Sequence, residues 1–188
     1  MVSALSPDQR HALLSLARAS VEAAARGDRP PQWPTGDPGL SSPAAAFVTL
    51  RERRTGDLRG CRGEVQAVRP LAESVIEGAI AAALDDPRFP PVTIHEVAGL
   101  TIEISVLTPM RQVAPSVVEV PRHGVMIDLH GRRGLLLPQV ASEAGWDREQ
   151  LLAGVCRKAG LPPLSWRDPA ARLLVFEADV WGEEPEGT

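Results

Sequence analysis

The sequence predicts an α+β fold: a mixed or antiparallel sheet built of hairpins, with packed helices and a smaller lobe. Three observations carry that expectation. Residues 100–107 alternate, with Leu100, Ile102, Ile104 and Val106 apolar and Thr101, Glu103 and Ser105 polar, the period-two mark of a strand with one buried face. Two pairs of short strand-like runs are joined by turn-forming residues, Thr55-Gly56 in the first and His130-Gly131-Arg132-Arg133 in the second. Helical periodicity falls before, between and after these hairpins, so the chain does not wind as regular βαβ units.

Taken in order, Ser6-Pro7-Asp8-Gln9 is a helix start, with Ser6 as N-cap, Pro7 in the first turn and Gln9 closing a capping box. Leu13, Ala17, Val21 and Ala24 form its apolar stripe and Gly27 stops it, so residues 1–27 are read as an N-terminal helix. Residues 28–44 are proline-rich and read as a loop over the surface, a connector or a lid. The body, 45–181, opens with a strand over Ala45–Leu50, a polar turn and a return arm from Leu58 to Val65. Pro70 opens a helix whose inward residues are Leu71, Val75, Ala79 and Ala83, ended before Pro87 because the residue preceding proline resists the helical region. Strands follow at 100–107, 124–129 and 134–137, the last ended by Pro138. Asp147 and Gln150 cap a helix carrying Leu151, Leu152 and Val155 that stops at Gly160, and 172–180 reads as one final strand. A flexible tail, 182–188, is expected to close a single domain.

Composition narrows the partners. A net charge of −4 and three phenylalanines with no tyrosine argue against nucleic acid, which needs concentrated positive charge and stacking rings. Lys158 is the only lysine, so the many arginines read as compositional bias, and Arg51, Arg53, Arg54, Arg59 and Arg62 make at best a weak basic patch. No run is long enough to span a membrane, and Met1 to Arg10 lack a secretory pattern. With two cysteines and no Cys-x-x-Cys pair, a reducing, cytoplasmic setting is expected, with no cofactor.

The chemistry concentrates in Leu58-Arg59-Gly60-Cys61-Arg62-Gly63-Glu64. A cysteine between near glycines has little to pack beside, and arginines on either side favour the thiolate, the nucleophilic form. The bland alternative is a small buried hydrophobe beside a tight turn. Cys156 falls among the apolar positions of a helix and reads as structural. Of the histidines, His11 and His95 read as surface groups, and His130 lies in a turn. His123, before Gly124 at the mouth of a strand, is the best partner for Cys61 as acid/base. Arg59 and Arg62 suit a carboxylate or phosphate, with a solvated, ion-paired hairpin edge as the alternative. Gly60 and Gly63 complete the turn, while Glu103 and Gln139 are candidates to line a cavity and hold substrate. Cys61, Glu103, His123 and His130 include metal donors, but no spacing defines a site, so none is assigned.

Several ordered motifs resemble a known family. Phe47-Val48-Thr49-Leu50, the Arg59-Gly60-Cys61-x-Gly63 turn, Asp86-Pro87-Arg88-Phe89-Pro90-Pro91, Ile102 to Leu107, His123-Gly124, Leu136-Leu137-Pro138-Gln139-Val140-Ala141, Trp146 and Cys156-x-Lys158-Ala159-Gly160-Leu161 are similar to the AMMECR domain family. Its bacterial members are called AmmeMemoRadiSam system protein A. The resemblance implies an antiparallel sheet with a smaller lobe and a cleft around Arg59, Gly60 and Cys61 that His123 faces. It also implies a Memo-type protein and a radical-SAM enzyme as partners. Arg62 departs from the family's usual apolar residue and adds charge at the turn. Together these readings give a cysteine-dependent enzyme acting on a small, anionic molecule. The alternative is a non-catalytic module that delivers a ligand or metal to those partners.

Overall fold

The computed structural model describes residues 5–183. Along the chain run helix α1 (Pro7–Arg26), α2 (Pro38–Ser41), strands β1 (Ala45–Glu52) and β2 (Leu58–Gly63), and helices α3 (Leu71–Leu84) and α4 (Ile94–Val97). Strands β3 (Leu100–Leu107), β4 (Arg111–Gln112), β5 (Gly124–Leu129) and β6 (Arg132–Leu136) follow. Then come α5 (Pro138–Ala144), α6 (Arg148–Lys158), β7 (Arg172–Phe176) and β8 (Ala178–Gly182). The fold is α+β, with two antiparallel four-stranded sheets in two compact units. One holds the chain up to Leu107 and from Asp179 onward; the other is Thr108–Ala178. Among the described residues no helix is long and apolar enough to cross a membrane.

The first unit is built on the order β2-β1-β3-β8. Alternation sends Val48, Leu50, Ile102 and Ile104 to one face, where they join Leu13, Ala17 and Val21 of α1 and Leu71, Val75 and Ala79 of α3 in one core. Helix α1 begins and ends as its residues dictate: Ser6 and Gln9 form the capping box, and Gly27 takes the left-handed conformation at φ 76°. The proline-rich stretch is pinned rather than trailing. Asp37 caps α2 and accepts from Gln9 Nε2 at 2.8 Å, while Leu40 is buried in the core. Of the expected tail, Gly182 completes β8, Glu183 pairs with Arg18, and 184–188 lie outside the described residues.

The second unit has the order β4-β7-β5-β6, covered by α6 through Leu151, Leu152, Val155 and Cys156 against Val125, Ile127, Leu173 and Val175. Three expectations change here. The β5–β6 turn is two residues, His130 and Gly131 at φ 52° and 81°, and Arg132 and Arg133 already pair in β6, because positive φ at both positions matches the twist of a tight hairpin. Pro138 does not merely end a strand; it opens α5, its missing N–H costing nothing in a first helical turn, and Gly145 closes it. The single strand expected at 172–180 divides at Glu177, β7 joining this sheet and β8 the other, with no turn residue to announce the break.

Candidate functional site

Cys61 lies on β2, the edge strand of the first sheet, opposite Thr49. Its backbone N–H turns away from β1 and donates to Asp86 Oδ2 at 2.9 Å. That is the arrangement of a non-hydrogen-bonded pair in an antiparallel ladder, in which facing side chains come closest. Accordingly the Thr49 hydroxyl reaches the Cys61 sulfur at 3.4 Å. Thr49 also sits opposite Glu103, so Cys61, Thr49 and the half-buried Glu103 form one row across three strands. This row is on the face away from α1 and α3.

The glycines are explained by space, not by φ, since neither has a positive φ. Gly60 faces α3, where an added Cβ would lie 2.2 Å from the Ala82 carbonyl oxygen. At Gly63 the Cβ would lie 2.2 Å from the Ala46 oxygen and 2.5 Å from the Phe47 Cα. Gly60 thus gives clearance to the α3 backbone on the face opposite Cys61, and Gly63 gives clearance to the β1 backbone.

The two arginines separate for the same period-two reason. Arg59 shares the face of Cys61 and is buried, at 7% exposure. Its Nε and Nη2 both reach Glu96 Oε1, at 3.1 and 3.0 Å, and its guanidinium lies 5.8 Å from the Phe89 ring. Nη1 is buried without a hydrogen-bond partner. Arg62 is exposed and lines a cavity of about 190 Å³ with Glu64, Arg69, Ser74 and Glu77.

Two residues that functional reading of the sequence passed over are tied to the cysteine backbone, Asp86 directly and Arg88 through Asp86. Asp86 is buried, and its carboxylate accepts from the Cys61 N–H, from Arg88 N–H at 3.1 Å, from Arg88 Nε at 2.9 Å and from Arg88 Nη2 at 2.6 Å. The Arg88 hydrogen bonds hold the Asp86 carboxyl well below the usual carboxylate range, against the opposing effect of burial. Both residues belong to the Asp86-Pro87-Arg88-Phe89 motif, which signals family but not role. Only the fold brings that loop to the edge of β2.

His123 and Gln139 belong to the second unit. His123 is buried, its own N–H donating to the Glu119 carbonyl at 2.9 Å and its Nδ1 accepting from the Glu119 N–H at 3.1 Å. The neutral ring so held carries its proton on Nε2, with Arg111 Nη2 at 3.5 Å from that atom. Burial first, and Arg111 second, push the imidazole below its ordinary value, so it is neutral at pH 7. Gln139 is half-buried in the first turn of α5. Cys156 is fully buried and burial raises its thiol. His11 and His95 are exposed. Among the described residues no group of three or more His, Cys, Asp or Glu side chains is placed to hold a metal ion.

The family model for AMMECR1 matches residues 14–181. The chain belongs to the AMMECR1 family. Similar proteins of this kind include one from Methanothermobacter thermautotrophicus, 40% identical over 188 residues, covering 96% of this chain and 97% of the relative. Another, from Thermococcus kodakarensis, is 44% identical over 186 residues, covering 93% and 91%. The crystal structure of an uncharacterised protein from Pyrococcus horikoshii superposes with a TM-score of 0.88 at 39% identity, covering 94% of this chain and 92% of that one. AMMECR1 membership thus accounts for the fold of both units, and the chemistry has to be read from the residues themselves.

Proposed function

We propose that this AMMECR1-family protein is a cysteine-dependent enzyme acting on a small molecule, with Cys61 as nucleophile and His123 as its acid/base partner. The observation that carries the reading is the position of Cys61: half-exposed, on the sheet face turned away from α1 and α3, its sulfur receiving the Thr49 hydroxyl and its backbone tied to a buried carboxylate. A cysteine serving only as a filler needs none of these polar partners. Arg59 supports an anionic substrate, because its buried Nη1 lacks the acceptor that a carboxylate or phosphate oxygen supplies, and an unpaired buried charged donor is costly. Glu103, in one row with Thr49 and Cys61, extends the proposed binding set. The role of His123 rests on the family resemblance. The Memo-type and radical-SAM partners rest on the resemblance alone.

The test is genetic and chemical together. A strain lacking the gene is compared for its metabolite profile after return of the wild-type chain, Cys61→Ala, Cys61→Ser or His123→Gln. The wild-type chain restores the profile, both Cys61 variants do not, and His123→Gln restores it partly. Full restoration by Cys61→Ala removes the enzyme reading. Affinity capture on the tagged chain tests the two partner classes, and recovery of neither removes that part of the proposal.

A further inference from the structure

We infer that Asp86 and Arg88 are the positioning pair of Cys61: the buried carboxylate holds the cysteine backbone at the open edge of the sheet and sets the Arg88 guanidinium beside it. The inference rests on the reading of Cys61 as the nucleophile.

Three features separate this from an ordinary loop anchor. The end of α3 does not need the Asp86 side chain, since Asp85 N–H already caps Ala81 and Val92 N–H returns to the Ala83 carbonyl. Of the two adjacent acids, Asp85 is exposed and Asp86 is buried at 4% exposure, although burying a carboxylate is expensive without partners. Those partners are specific. One oxygen, Oδ2, accepts both the Cys61 N–H and Arg88 Nη2, so a single atom separates the guanidinium from the cysteine backbone. The fork of two parallel bonds from Nε and Nη2 fixes the plane of Arg88, and the Phe89 ring lies 5.5 Å from it. Arg88 is held charged chiefly by its hydrogen bonds to Asp86.

The other groups around the sulfur do not take this role. On its own strand Arg59 gives Nε and Nη2 to Glu96, which leaves Nη1 for substrate, and Arg62 lies on the opposite face. Strand β1 offers the uncharged Thr49 and, two residues on, Arg51, which donates to the Gly56 carbonyl at 3.2 Å, and β3 offers Glu103 one strand further along the row, a charge of the wrong sign. Arg88 is therefore the cation that meets negative charge developing on Cys61, and Asp86 keeps it from swinging into solvent, where its side chain is already 54% exposed.

The test uses iodoacetamide on the full-length chain, with the modified cysteine identified by peptide mass and folding checked by circular dichroism. Rates at Cys61 are followed from pH 6 to pH 10 for the wild type, Arg88→Gln, Arg88→Lys and Asp86→Asn. Arg88→Gln is expected to slow labelling about tenfold at pH 7 and to match the wild type at pH 10, where thiols ionise without help. Arg88→Lys recovers most of the neutral-pH rate because it keeps the charge. Asp86→Asn removes a carboxylate as well as releasing the arginine, so it is read in the double variant, where adding Arg88→Gln is expected to change the rate no further. A profile for Arg88→Gln that superposes on the wild type overturns the proposal. So does slowing by the same factor at every pH, which reports altered access alone. Should Asp86→Asn fail to fold, the Gln and Lys variants decide the matter. Failure of the enzyme reading shows elsewhere, as a Cys61→Ala chain that restores the metabolite profile while the Arg88 effect on labelling persists.

Discussion

The two faces of the first sheet, followed across β2, β1 and β3, obey opposite rules. On one, Val48, Leu50, Ile102 and Ile104 are sealed under α1 and α3, and Gly60 lets a strand backbone approach the Ala82 carbonyl. On the other, the residues that alternate with them are Cys61, Thr49, Glu103 and Ser105, with Arg59 beside them. Burial does not tell the faces apart, because Thr49, Arg59 and Ser105 are buried too. What differs is the type of interaction. The first face is held by dispersion and exclusion of water, which reward volume; the second by hydrogen bonds and ion pairs, which reward geometry. The difference teaches that stability and chemistry can be separated by a single-residue step along a strand.

Substitutions offer several ways to break that contrast. Gly60→Ala has the largest expected effect: the added methyl meets backbone, which cannot rotate away, so a loss of about 3 kcal/mol or more, or failure to fold, is expected in urea denaturation. Ile102→Ala empties space under the helices and should cost about 3 kcal/mol by the same measurement. Thr49→Val keeps the volume and removes only the hydroxyl, so stability should move by about 1 kcal/mol or less while Cys61 labelling changes. A Thr49→Val loss as large as that of Ile102→Ala would erase the distinction between the faces.

The smallest effect sharpens the same contrast in the second unit, where a polar group is buried beside an apolar core. His123 has a folded value below its ordinary one, so between the two the unfolded chain binds the extra proton and the folded chain does not. Its contribution is therefore complete above about pH 6.5 and falls away as the solution is acidified below that value. Denaturation midpoints of the wild type should drop from pH 7 to pH 5, with a slope from this residue of no more than about 1.4 kcal/mol per pH unit. In His123→Gln that part of the slope should vanish, and an unchanged slope would assign the acid sensitivity to other groups.

Legibility followed the range of the forces involved. Strand β3 and helix α1 were readable to the residue, since alternation, the Ser6–Gln9 box and the αL glycine are all local. Helix α6 was equally open, through Asp147 and Gln150. Helix α5 was hidden because Pro138 breaks a strand and starts a helix with the same chemistry. The separation of Arg59 from Arg62 was contained in the strand assignment, as i and i+2 share a face and i+3 does not. Asp86 and Arg88 were not: 25 residues part Asp86 from Cys61, and nothing in their spacing tells which of two adjacent aspartates turns inward.

By itself the chain determined its periodicities, its caps, its family and the hairpin arm that carries the cysteine, because each depends on neighbours within a few positions. The tertiary structure decided the division of residues 172–182 between two sheets, the role of the glycines as clearance, and which charged groups stand beside the sulfur. Those depend on backbones meeting across long stretches of sequence, where a packing distance or a single shared carboxylate oxygen settles the outcome and residue type does not.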